Sequence, residues 1–311
     1  MAKILITGGA GFIPSYLTEK LAENKDNQLV IVDNLITGSM DKIPVSVHDN
    51  IKFINCNVNS LSDISSVFYS YPFDYVFHYA AMVGVKRTQE NPVSVLEDIT
   101  GIKNILSLSK NTGVKRVYYS SSSEVYGEPV EFPQNEDTTP LNSRLPYAIV
   151  KNVGEAFLKS YKKEFGLDFT IFRFFNTYGS RQSRDFVVSK FISSALSNKD
   201  ITIFGDGKQT RTFCYIDDNI TATTNAFYND KFVNDVVNIG GENEITILEL
   251  AKTIINITGS SSKIVHLPAL KEGDMTRRKP DISKMKQLLN KPLMGLEEGL
   301  KKVLEDTSYI L

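Results

Sequence analysis

Short apolar runs alternate with stretches of helical spacing through the first half of this 311-residue chain. Lys3–Thr7 is apolar and runs directly into glycines. From Pro14 to about Glu23, apolar residues recur at helical spacing (Tyr16, Leu17, Leu21). Leu29–Val32 is a second apolar run, ending at Asp33. Strand, glycine turn, helix, strand is one βαβ unit of about 30 residues. The rhythm then repeats. Ile51–Ile54, Tyr75–His78, Arg116–Ser120 and Phe169–Phe172 read as buried strands, with helical stretches near 61–70, 92–112 and 148–164 between them. This alternation predicts an α/β fold: a doubly wound parallel sheet covered on both faces.

After about Phe174 the rhythm changes. Phe186–Ser197 reads as a helix, and Ile201–Phe204 as a short strand before the Gly205-Asp206-Gly207 turn. Val236–Ile239, Ile245–Ile257 and Lys263–Leu267 add strand, helix, strand, and Leu296–Asp306 is a terminal amphipathic helix. This region is too short and irregular for a complete sheet domain. It predicts a smaller α/β lobe capping the carboxyl edge of the first sheet, where open α/β sheets bind ligands. The expected division is 1–174 for the sheet domain and 175–311 mainly for the substrate-binding lobe, with segments free to interleave.

Composition narrows the chemistry. Lys plus Arg is 35 and Asp plus Glu is 36, a net charge of −1, which argues against nucleic-acid binding by bulk charge. Two cysteines, Cys56 and Cys214, make a disulfide framework implausible. The three histidines have no metal-ligand spacing, so no metal is expected. No apolar run reaches the roughly 18–20 residues of a membrane helix, and the first strand meets its glycine turn too early for a signal peptide. A cytoplasmic setting is expected, with chemistry carried by hydroxyls, carboxylates, Lys, Arg and a borrowed cofactor.

Gly8-Gly9-Ala10-Gly11-Phe12-Ile13-Pro14 follows the first strand and opens the first helix. Glycines there allow a tight turn and a close approach of backbone to a pyrophosphate, with helix N–H groups pointing at it. Asp33, at the end of the next strand, can accept both adenosine ribose hydroxyls and would repel a 2′-phosphate, which favours NAD over NADP. Pro14 departs from the usual small residue. It is tolerated in a first helical turn, removes one N–H donor, and predicts a small shift of the helix with binding retained.

Tyr147 and Lys151 open a strongly helical segment, and i, i+4 spacing puts phenol and ammonium on one face. A nearby Lys⁺ and a positive nicotinamide would lower the phenol pKa towards neutrality. Upstream, the strand Arg116–Ser120 feeds Ser121-Ser122-Ser123-Glu124-Val125-Tyr126-Gly127, at the ligand edge of the sheet. With His78-Tyr79-Ala80-Ala81, Arg173-Phe-Phe-Asn-Thr-Tyr-Gly179 and Gly205–Asp217, these motifs resemble the extended short-chain dehydrogenase/reductase family. The likeness is to its nucleotide-sugar epimerases, dehydratases and decarboxylases, and it covers essentially the whole chain.

The resemblance implies a Rossmann-like NAD-binding domain with Gly8, Gly11, Phe12, Ile13, Asp33, Asn34, Asn57, Ala80, Ala81, Tyr147 and Lys151 contacting the cofactor. Ser122 would hydrogen-bond the sugar 4-oxygen, Tyr147 would take the 4-OH proton, and Lys151 would hold the nicotinamide ribose. Asn176 would contact the diphosphate, and Arg211 with one of Arg277 and Arg278 would clamp it, although Arg277-Arg278-Lys279 also reads as a solvated basic patch. Asn57 stands where an Asp commonly meets adenine, and Asp98 where the family has an Asn. A homodimer through helices near 92–112 and 148–164 is the family's habit, and a UDP-sugar the favoured substrate.

Glu124 bears on the outcome at the sugar. The dehydratases pair an Asp with a Glu after the Ser/Thr; here the pair is Ser123-Glu124, which makes 4,6-dehydration less favoured. UDP-glucuronate decarboxylases carry Ser-Glu, but usually with acidic residues within Tyr-x-x-x-Lys, where this chain has Ala148-Ile149-Val150. Its Met82–Gln89 loop is also unlike theirs. The sequence therefore places NAD-dependent 4-epimerisation through a 4-keto sugar ahead of decarboxylation. A 4-dehydrogenase releasing the keto sugar and a non-catalytic NAD-binding regulator stay as alternatives.

Overall fold

The computed structural model describes residues 1–44, 47–128, 130–269, 275–308 and 310, apart from the side chains of Val85 and Lys86. In chain order, β1 (Ala2–Thr7), α1 (Phe12–Ala22), β2 (Asn27–Asp33), β3 (Ile51–Asn55), α2 (Leu61–Ser70) and β4 (Tyr75–His78) come first. Three helices follow, α3 (Val85–Glu90), α4 (Pro92–Leu96) and α5 (Asp98–Thr112), then β5 (Arg116–Ser122), α6 (Pro146–Phe165) and β6 (Asp168–Phe174). The lobe begins with β7 (Thr177–Tyr178), α7 (Val187–Leu196), β8 (Ile201–Phe204), β9 (Thr210–Thr212) and β10 (Cys214–Tyr215). The chain continues through α8 (Ile216–Tyr228), β11 (Asp235–Ile239), β12 (Glu244–Thr246), α9 (Ile247–Thr258), β13 (Ile264–Leu267), α10 (Ser283–Lys286) and α11 (Leu296–Glu305).

Seven parallel strands form the main sheet in the order β11-β6-β5-β4-β1-β2-β3. Both faces are covered because both faces of each central strand are apolar. In β1, Ile4 and Ile6 join the core under α1 and α8, while Leu5 joins the core under α2, α5 and α6. Burying each such side chain is worth about 1.5–3 kcal/mol. The strand order reverses between β1 and β4, which opens a crevice at their carboxyl ends.

Two expectations need adjustment. Val236–Ile239 lies inside β11, which pairs with β6 and is the seventh strand of the main sheet. The chain thus enters the lobe and returns, laying α8 against α1 on the way. The single helix expected over 92–112 is two, α4 and α5, meeting at Glu97. There the Thr100 N–H turns to the Glu97 carbonyl at 2.9 Å, an i+3 bond that tightens the chain. The lobe is built from small pairings: β8 with β13, β9 with β12, and β7 with β10.

Candidate active site

The glycine turn is as tight as its sequence demands. Gly8 has φ +72°, and a Cβ there would lie 2.8 Å from the backbone of Ala80, across the crevice between β1 and β4. Gly11 caps α1 with extended backbone and no side-chain cap, so the first N–H groups of the helix stay open to a ligand. Pro14 sits within the first turn of α1, and its carbonyl accepts from Thr18 Oγ1 at 2.8 Å. Phe12 and Ile13 are half-buried beside it. Asp33 ends β2, its carboxylate accepting from the Ala10 N–H at 3.1 Å and the Leu35 N–H at 2.7 Å. Burial raises its pKa, and the two N–H bonds act against this by favouring the ionised form. Asn34 is exposed and caps the Ile36 N–H, and Asn57 accepts from the Asn59 N–H at 3.0 Å. Ala80 and Ala81 form the opposite lip. A cradle that Cβ atoms would fill, ending at an acid, fits a dinucleotide.

The reacting edge lies at the end of β5. A buried scaffold fixes it: Arg173 on β6 holds Glu155 of α6 through Nε at 2.9 Å and Nη2 at 2.7 Å, and Ser121 Oγ donates to the same carboxylate at 2.5 Å. Arg173 also donates to the Tyr126 hydroxyl at 2.7 Å, which donates to Asn238 on β11 at 2.8 Å. This clamp joins β5, β6 and β11 to the middle of α6. Next to it, Ser122 and Tyr147 come near enough for the serine hydroxyl to act on the phenol. Ser122 Oγ also accepts the Glu124 N–H at 3.2 Å.

Lys151, one turn along α6, is buried. Its Nζ donates to Ser120 Oγ at 3.3 Å and lies 5.0 Å from the ring centre of Tyr119 and 5.7 Å from that of Tyr147. Burial pushes its pKa down to about 8, opposed by the charge of Asp98. Burial likewise raises the Tyr147 phenol well above its usual value, helped by Glu124 and Asp98 and opposed by Ser122 and Arg278. The lowered phenol expected from sequence is therefore not set by the protein's own groups, because desolvation outweighs them.

The far wall departs from expectation more sharply. Arg278 turns inward and pairs with Glu124 at 2.6 Å, both largely enclosed. Glu124 Oε2 is buried without a hydrogen-bond partner in the protein. Arg277 turns the other way, bidentate to Glu244 at 2.6 and 2.7 Å and 4.2 Å above the Phe132 ring. Thus Arg277-Arg278-Lys279 is not a uniformly solvated patch, and each of the two guanidiniums already faces a carboxylate. Arg211 is buried on β9, next to the Thr210–Arg277 bridge. Asn176 donates to the Thr212 carbonyl at 3.0 Å with φ +34°, a left-handed backbone that a non-glycine residue adopts at a cost. Asn176, Arg211 and Arg277 thus all meet β9, while Glu124 and Arg278 pair beside Ser122.

Sequence reasoning did not assign Ser120, Tyr119, Glu155 or Glu244. The first three lie on strand and helix positions indistinguishable from core. Glu244 is 33 residues from its partner Arg277, so no local pattern could join them.

A nucleotide cradle facing a hydroxyl, a phenol and a buried ammonium defines a dinucleotide-dependent enzyme that works on an alcohol carbon. The profile of the NAD dependent epimerase/dehydratase family matches residues 4–240, and the chain belongs to that family. NAD is the cofactor its cradle serves. Among curated relatives, it is 37% identical to a UDP-N-acetyl-alpha-D-glucosaminuronate decarboxylase of Bacillus cytotoxicus, covering 97% of each chain. It is also 37% identical to UDP-glucuronic acid decarboxylase 1 of Danio rerio, over 97% of this chain and 72% of that one. Among solved structures, it resembles the UDP-glucose 4-epimerase of Thermotoga maritima, with a TM-score of 0.91, 34% identity and 97% of each chain covered.

Proposed function

We propose that the protein decarboxylates a UDP-hexuronate through a bound 4-keto intermediate. The observation that carries this reading is the enclosed Glu124–Arg278 pair beside Ser122 and Tyr147. A 4-epimerase needs only a base, a hydroxyl and a ketone that can present its other face. An Arg and a Glu set against the reacting edge are surplus to that chemistry but suit a carboxylate on C5 of the sugar. Arg278 would meet the C6 carboxylate, for which guanidinium geometry is well matched. The partnerless Glu124 Oε2 would accept a hydrogen bond from a sugar hydroxyl or water.

Bound NAD supplies a hydride acceptor and donor at sugar C4 and a positive charge near Tyr147. Ser122 would hold the 4-oxygen, and Tyr147 would take the proton of the 4-hydroxyl when that carbon is oxidised. The resulting ketone lies β to the carboxylate. The C5–C6 bond then breaks, CO₂ departs, and its electron pair enters the C4 enolate. Protonation at C5 from water, and return of the Tyr147 proton to the 4-oxygen on reduction, would leave a UDP-pentose.

The sequence objection from Ala148-Ile149-Val150 loses weight on the helix. Ala148 and Val150 are buried in packing, and Ile149, about 200° around α6 from Tyr147, is on the outside. Both decarboxylase relatives add support. A second reading, 4-epimerisation, is favoured by the likeness to the Thermotoga maritima enzyme and by the sufficiency of Ser122, Tyr147 and Lys151. Incubation with UDP-glucuronate, followed by NMR and CO₂ capture, separates the two. CO₂ with a UDP-pentose is expected. A C4 epimer that keeps its carboxylate, or turnover of UDP-glucose alone, would overturn the decarboxylase reading.

A further inference from the structure

Arg278 stands on a short segment whose backbone is pinned on both sides. The Arg278 N–H donates to the Thr210 carbonyl at 3.3 Å, and the Thr210 N–H donates to the Thr276 carbonyl at 3.1 Å. Beyond it, the Gln134 N–H donates to the Lys279 carbonyl at 2.7 Å. With the backbone fixed, the aim of the guanidinium is set by what its own nitrogens meet. Nη2 meets a Glu124 carboxylate oxygen at 2.6 Å, Nη1 donates to Ser123 Oγ at 3.5 Å, and Nε donates to the sulfur of Met275 at 3.2 Å. Arg278 and Ser123 are buried, and Glu124 is largely so. Of the five N–H groups of the fork, one on each terminal nitrogen has no partner among the described residues.

The neighbouring arginine shows what the sulfur does. Arg277 gives both Nε and Nη2 to the Glu244 carboxylate and is closed by that one acid. Arg278 gives Nε to Met275 instead, and so meets its acid through a single nitrogen. A thioether is a weak and uncharged acceptor. It satisfies the buried Nε–H and fixes the plane of the fork, yet does not neutralise it. An aliphatic side chain of the same size would leave that N–H unpaired, and an acid would neutralise the arginine a second time. We infer that Met275 is a positioning residue that sets specificity: its sulfur aims the Arg278 fork while leaving it charge enough to receive a second carboxylate, that of a hexuronate. The inference deepens the decarboxylase reading and rests on it, since only a sugar with an acid on C5 uses that charge.

The test is calorimetry on the NAD-loaded protein with UDP-glucuronate and UDP-glucose, which differ only at C6. A Tyr147→Phe background keeps the bound sugar from being converted. That background is expected to bind UDP-glucuronate the more tightly. Met275→Leu, close to methionine in volume, is expected to cut the preference by about three- to tenfold, and Met275→Glu to abolish it. Met275→Gln, a neutral acceptor on a similar stem, should hold it within about twofold of the background. Affinity for UDP-glucose should stay the same in all three, which a purely structural role for Met275 would not allow. A preference that survives Met275→Leu, one that Met275→Gln fails to hold, or an equal loss for both sugars overturns the role of Met275 and leaves the decarboxylase reading standing. A background protein with no preference for UDP-glucuronate overturns both.

Discussion

The two halves of the site are built in different ways. The nucleotide side is local: β1, the glycine turn, α1 and the end of β2 supply Gly8, Gly11 and Asp33 within the 32 residues from Ala2 to Asp33. The proposed sugar side is assembled from afar: the Arg278–Glu124 pair joins positions 154 residues apart, and Asn176 is tied to the Thr212 carbonyl. A local site is fixed by backbone conformation, so its glycines are its function. An assembled site is fixed by side-chain pairs, each of which can be retuned without changing the fold. Relatives that differ in what happens at the sugar can thus share one cradle.

The largest break comes on the sugar side. Tyr147→Phe is expected to lower kcat by about 10³-fold or more while NAD binding persists, because general-base catalysis is typically worth 10²–10⁴-fold. Turnover and NAD titration on the same preparation check it; loss of both together would mean that the two sides are not separable.

Lys151→Met tests the cost of the buried ammonium. Its folded pKa of about 8 lies below the value of 10.5 for a free lysine, so the unfolded chain holds the proton more tightly between those limits. Charged Lys151 therefore opposes folding below about pH 8, and the penalty fades as pH rises towards the unfolded value. At neutral pH the variant should be more stable by on the order of 3 kcal/mol and inactive, a trade expected of a functional buried charge. The melting temperature should rise by several degrees at pH 7 and converge with wild type above about pH 10. A variant that melts lower at pH 7 would show that the contacts of Lys151 with Ser120 and the tyrosines outweigh its desolvation.

What was legible in the sequence follows the same division. Strands buried on both faces read as apolar runs, and β1, β4 and β6 lie where those runs are. The glycine turn and Asp33 were legible because their partners are near in sequence. The partners of Arg277 and Arg278 were not, since a guanidinium's direction depends on which carboxylate the fold brings close. The place of β11 was also hidden. Its apolar run identifies a strand, but only the crossover through α8 decides which sheet it joins. Asp98 stood out as a departure from the family's usual Asn, yet its effect on Lys151 depends on α5 packing against α6.

On the nucleotide side, Gly8→Ala places a methyl group 2.8 Å from the Ala80 backbone and forces a side chain into φ +72°. Strain of this kind costs about 1–3 kcal/mol, so NAD affinity should fall by roughly 10–100-fold. Calorimetry with NAD reads the effect. Unchanged affinity in a folded variant would show that the crevice can widen, and that its fit is less exacting than the glycine suggests.

The smallest effect is expected at the outer pair. Glu244 neutralises Arg277, whose side chain is 42% exposed, so the pair is worth only about 0.2–1 kcal/mol in stability. Glu244→Gln leaves the guanidinium uncompensated on the wall beside β9. If that wall receives a diphosphate, KM for the UDP-sugar should fall by about two- to threefold at low salt, and the gain should vanish near 1 M salt, where charges are screened beyond about 3 Å. A KM that rises instead would mean that Glu244 serves to aim Arg277. The assembled half would then depend on its outer ion pair as much as on the inner one, and the contrast with the local half would be sharper still.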